Sequence, residues 1–64
     1  MSQEQADQKA LAPFRAAIKG WAFGDEAWKL RALNRGVEES LKLPERLQLM
    51  CAEDLAAIRA SIAS

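Results

Sequence analysis

Residues 44–62 read PERLQLMCAEDLAAIRASI, and the spacing of their apolar side chains decides the fold. Set out at about 100° per residue, Leu47, Cys51, Leu55, Ile58 and Ile62 share one side of a helix. Pro44 marks the start, because the residue before a proline avoids the α region and a proline suits a first turn. Glu45 adds a negative charge where the helix dipole favours one. Asp54 falls at the rim of the apolar side, a position with solvent access. The spacing therefore predicts a helix over 44–62.

Moving toward the N-terminus, the next segment carries Leu30, Leu33, Val37 and Leu41 within one narrow stripe. Asp25 is the residue type that caps a helix start, followed by the acidic Glu26. Gly36 interrupts good helix formers, yet the stripe stays in phase across it, which predicts one helix over 25–42. Earlier still, Ser2 and Gln5 have the spacing of a capping box. Leu11, Phe14, Ile18 and Trp21 fall on one side, flanked by Ala10 and Ala17. A first helix over about 3–23 follows, with a kink or break at Pro13. Gly24 is the expected left-handed stop.

Composition agrees with three helices and nothing else. The 64 residues include thirteen alanines and eight leucines, one valine, and neither threonine nor tyrosine. Helix formers dominate and strand formers are nearly missing. The fold class is all-α, a compact three-helix arrangement forming a single small domain over 1–64. A helical hairpin that oligomerises is the alternative. A chain this short buries only about 60% of its unfolded surface, so its own core is marginal. The single cysteine, Cys51, excludes an internal disulfide, and the lack of histidine excludes the usual zinc ligand sets. Self-association or docking on a larger protein is the expected compensation.

The function classes that this sequence disfavours are several. There is no histidine for acid–base work at neutral pH, and so none to activate the Cys51 thiol. The acid pairs Asp25-Glu26, Glu38-Glu39 and Glu53-Asp54 are adjacent residues, which point about 100° apart on a helix and do not face each other. No phosphate loop, metal spacing or nucleophile elbow occurs. The expectation is a protein that is not an enzyme, with no catalytic residues, no metal and no cofactor. No apolar run approaches the ~18 residues of a membrane span, and the polar, acidic start is unlike a signal peptide. With a free thiol, these features suggest a cytoplasmic protein and no membrane partner.

One stretch, Ala32-x-x-x-Gly36-Val37, resembles the turn of a helix-turn-helix DNA-binding motif. The resemblance implies a small nucleic-acid-binding regulator touching phosphates through Arg31, Arg35, Lys42 and Lys29. It extends over about twenty residues by the motif's usual length and then departs from the pattern. Lys42 and Glu45 stand where apolar anchors belong, and Pro44 would lie inside the recognition helix. Nine acidic and nine basic side chains cancel, which removes any general attraction to a polyanion.

Charge is nevertheless uneven along the chain. From Lys9 to Arg35, six bases (Lys9, Arg15, Lys19, Lys29, Arg31 and Arg35) stand against Asp25 and Glu26. From Gly36 to Ile58, Glu38, Glu39, Glu45, Glu53 and Asp54 stand against Lys42 and Arg46. Such a layout can steer a partner or align two copies head to tail. Trp28 lies off the stripe of the second helix, near Arg31, Arg35 and Lys42, and Trp with Arg is the composition of binding hot spots. Its other reading is structural, folded back over the Gly24 turn against Phe23. Leu49 is off the stripe of the third helix, and Phe23 is unassigned. The candidate partner-binding residues are therefore Trp28, Arg31, Arg35, Lys42, Leu49 and Phe23.

The function expected from the sequence is a small protein–protein interaction module: a regulator, inhibitor or accessory subunit of a larger protein, or of itself as a homo-oligomer. Its size suits the inhibitors that bacteria, phages and mobile elements encode. Nucleic-acid binding, and a purely structural bundle subunit, are the alternatives.

Overall fold

The computed structural model describes residues 2–64 and holds three α-helices: α1 (Gln3–Ile18), α2 (Glu26–Leu41) and α3 (Glu45–Ala63). The expected caps form. Ser2 Oγ accepts from the Gln5 backbone N–H at 3.2 Å, and Asp25 Oδ1 accepts from that of Trp28 at 2.8 Å. Each satisfies one of the donors left free at a helix start. Pro44 stands just before α3 with φ −57°, a value its ring imposes.

Of the kink or break expected at Pro13 the break does not occur, and two features at the end of the first helix differ from the sequence reading. Pro13 lies inside α1 and does not break it; its side chain is exposed and only the Lys9 carbonyl loses a helical donor. The first helix stops at Ile18 rather than near residue 23, because Gly20 turns the chain with φ +77°. A single 3₁₀ turn over Trp21–Phe23 follows. Gly24, the expected left-handed stop, is instead extended, with φ −87° and ψ 166°.

The core collects Leu11, Phe14 and Ile18 of α1, Ala32 of α2, and Leu47, Cys51, Leu55 and Ile58 of α3. Ala10, Trp21, Leu33, Val37, Leu43 and Ile62 close its edges. The stripes expected on the first and third helices are thus the buried ones.

The second helix departs from expectation in an informative way. Its buried residues are Ala32, Gly36 and Ser40, spaced four apart, while Leu30 is exposed and Leu41 is 67% exposed. α2 is the central helix: both others pack mainly on it and touch each other little. Two helices crowding over one face require a narrow ridge, and small side chains supply it. A β-carbon added to Gly36 would lie 2.8 Å from Ile18 Cγ2 and 2.9 Å from Leu55 Cδ2, so α1 and α3 meet over this glycine. The buried Ser40 hydroxyl donates to the Val37 carbonyl at 2.9 Å and leaves no polar group unsatisfied. Leu33 and Val37 are left at the sides of the ridge.

Two long-range contacts fix the helix directions. Ile18 reaches the middle of α2 at Gly36, and Asp7 bonds Arg46 at the start of α3. α1 therefore runs parallel to α3 and antiparallel to α2, covering the C-terminal half of α2. The segment 19–25 returns over the other half, a distance of about 15 Å at the helical rise. At that end Lys29 Nζ donates to Ser61 Oγ at 2.7 Å, placing a cation beside the last turn of α3, where the helix dipole is negative.

Candidate functional site

The candidate residues read from the sequence do not gather into one surface. Phe23, 96% exposed, stands on the 3₁₀ turn. Trp28 and Arg31 lie nearby on the first turns of α2, with the Arg31 guanidinium carbon 6.0 Å from the Trp28 ring centre. That is the outer limit of a cation–π contact. Arg35 is exposed farther along α2. Lys42 is at the opposite end, about 21 Å from Trp28 at the helical rise, and pairs with Glu39 at 3.1 Å. Leu49 belongs to a different region, on α3.

Trp28 has both a structural and an exposed side. Its ring lies so close over Gly24 that a β-carbon there would overlap Cδ1. The indole therefore seals the turn before α2, yet Trp28 remains 40% exposed. Phe23 does not join it, since almost nothing covers Phe23.

A more site-like feature lies between α1 and α3. These helices touch little and leave an open-sided cleft of about 420 Å³ between them. Its floor is core: Leu11, Phe14 and Cys51. Leu49 and Met50 form its apolar wall, 68% and 48% exposed, and Arg15, Glu53 and Asp54 its charged rim. The Asp7–Arg46 ion pair ties the two helices together near the end of this cleft. Sequence reading placed Leu49 off the stripe but missed Met50. The available signal was two consecutive apolar residues, Leu49-Met50, outside a stripe that Leu47, Cys51 and Leu55 already complete.

Electrostatics in the cleft follow from its geometry. Burial pushes the Cys51 thiol above its ordinary value of 9.0; the Asp54 carboxylate pushes it further, and Arg15 opposes. At neutral pH the thiol is protonated and a poor nucleophile. Among the described residues, no group of three Asp, Glu, Cys or His side chains converges as a metal site. No helix among the described residues is long and apolar enough to cross a membrane. Ala32 and Gly36, which resemble a helix-turn-helix turn in sequence, lie within the unbroken α2, so no turn exists there.

No protein-family model matches this chain, and comparison with curated proteins and with solved structures gave no match either.

Proposed function

We propose that this protein is a non-catalytic docking module of the cytoplasm, a regulator, inhibitor or accessory subunit of a larger protein. It would seat an apolar side chain from an amphipathic helix of that protein in the α1–α3 cleft. The observation that carries this reading is the cleft itself: an opening of about 420 Å³ floored by Leu11, Phe14 and Cys51 and walled by exposed Leu49 and Met50. Apolar residues gathered in one concavity are what partner surfaces present, whereas scattered ones are ordinary. A groove between two near-parallel helices suits a third helix laid along it.

The rim also specifies the partner's charges. Arg15 stands on the α1 side, and Glu53 and Asp54 on the α3 side. A fitting helix carries an acidic residue toward α1 and basic residues toward α3, flanking its apolar anchor. The test is capture from native lysate by the wild-type chain and by Leu49→Glu and Met50→Glu. Both sites are exposed, so both variants should keep their helicity. Loss of a stoichiometric protein partner in both variants supports the cleft. A partner retained by both, or capture abolished by nuclease, contradicts it; the latter outcome would favour Arg31 and Arg35 as phosphate contacts.

A further inference from the structure

The outer face of α2, away from its small-residue ridge, carries an apolar line that none of the described residues covers. Leu30, Asn34 and Leu41 lie on it, with Val37 at its edge; at about 100° per residue they span some 60° of arc. Leu30, Asn34 and Leu41 are exposed. On one flank of the line stand Arg31 and Glu38, at about 100° and 80° from Leu30 on the same helical count. Both are exposed, and among the described residues neither forms a salt bridge. Past the acidic first turn with Glu26, and before Lys42 at its end, the helix carries Lys29, Arg31 and Arg35 and then Glu38 and Glu39.

We infer that this face is the interface of an antiparallel homodimer. A twofold axis passing between residues 35 and 36 sets Leu30 of each copy against Leu41 of the other. The axis keeps each flank on its own side, so Arg31 of one copy meets Glu38 of the other. Their axial offset is about 3 Å at the helical rise, within reach of a guanidinium. Among the described residues neither has an ion-pair partner, and Arg31 has only its outer-limit contact with the Trp28 ring; across the seam they form two intermolecular ion pairs. The two Asn34 side chains fall close to the axis, where a polar residue within an apolar seam fixes register and orientation. A parallel pairing would exchange the flanks, setting Arg31 and Glu38 against the Leu33 and Val37 side of the other copy, where no opposite charge meets them. Isologous contact closes at two copies. No residue of α2 lines the α1–α3 cleft, so dimerisation leaves both clefts open, one on each outer side, and the assembly is bivalent.

A single helix face makes a small interface, so the expected association is in the micromolar range. Sedimentation equilibrium from low to high micromolar protein should show mass rising to twice the monomer and no further. Leu41→Glu and Leu30→Lys, both at exposed positions, should each remain monomeric with unchanged circular dichroism. Arg31→Glu should weaken the dimer by about tenfold, and adding Glu38→Arg should restore it to within about threefold. Met50→Glu, which tests the cleft, should leave the dimer intact. The inference is overturned by a wild-type chain that stays monomeric throughout, or by a mass that climbs past two copies. It is equally overturned if the charge exchange fails to restore association, or if Met50→Glu abolishes the dimer while Leu41→Glu does not.

Discussion

Arg46 of α3 holds the carboxylate of Asp7 on α1 with both arms of its guanidinium, Nη1 at 2.8 Å from Oδ2 and Nη2 at 2.9 Å from Oδ1. The two residues are 39 apart in sequence, and this pair is the main polar tie between helices that otherwise touch little. Gln3 Nε2 adds a third donor to Asp7 at 3.0 Å. The Arg46 hydrogen bonds, then that from Gln3, hold the Asp7 carboxyl below its ordinary 3.8.

A depressed carboxyl stabilises the fold above its unfolded pKa, and that contribution is lost as pH falls through the folded value. Thermal melts of the wild type should therefore show falling Tm as pH drops below about 4. Asp7→Asn should begin lower by a few degrees at neutral pH and lose less on acidification. Equal acid sensitivity in both chains would show that the pair contributes nothing to stability.

Gly36 allows α1 and α3 to meet over α2, and its replacement reverses a common rule. Alanine normally stabilises a helix interior by about 1 kcal/mol relative to glycine. Here the new methyl meets Ile18 Cγ2 and Leu55 Cδ2 together. Leu55 can swing its terminal methyl aside, but the β-branched Ile18 is held to one rotamer. Overpacking of this kind costs about 1–3 kcal/mol, so Gly36→Ala should destabilise by about 1 kcal/mol net. Urea denaturation checks the sign, and a more stable variant would mean the helices are farther apart than described.

Leu41 and Ile58 separate the two possible faces of the helices. Ile58 is fully buried and Leu41 is 67% exposed. Ile58→Ala should cost about 3 kcal/mol through lost burial and a cavity. Leu41→Ser should change stability by less than about 0.5 kcal/mol when measured at protein concentrations low enough to keep the chain monomeric. Comparable losses at the two positions would restore Leu41 to the core.

That contrast also shows what was legible in the sequence. The buried sides of α1 and α3 follow directly from apolar periodicity, because each of these outer helices buries one wide face of large residues. The central helix breaks the rule. Flanked by two helices, it turns its small residues Ala32, Gly36 and Ser40 to the core and leaves Leu30 and Leu41 outside. Periodicity ranks residues by hydrophobicity and is blind to how closely neighbours must approach. The same Ala32–Gly36 spacing that resembles a helix-turn-helix turn is the packing ridge. The cleft was legible only in part, through Leu49; its floor depends on how α1 and α3 are spaced over α2, which no single helix encodes.

Cys51 reports on the cleft floor. It is buried, and desolvation together with Asp54 keeps its thiol protonated. Alkylation at pH 7–8 should be at least about tenfold slower in the folded chain than in denaturant, and should still be rising above the ordinary thiol value of 9.0. Because the folded pKa is raised, this group favours the fold below the unfolded pKa, and its contribution is lost as pH rises through the folded value. Rapid alkylation of the native chain would show that the floor is open to solvent.

The central claim, that the α1–α3 cleft receives a partner, is tested most directly by comparing native-lysate capture by the wild type and by Met50→Glu, with and without nuclease. The account predicts a stoichiometric protein bound by the wild type, unaffected by nuclease and lost from a variant of unchanged helicity. Retention of that protein by Met50→Glu, or its disappearance on nuclease treatment, would contradict it.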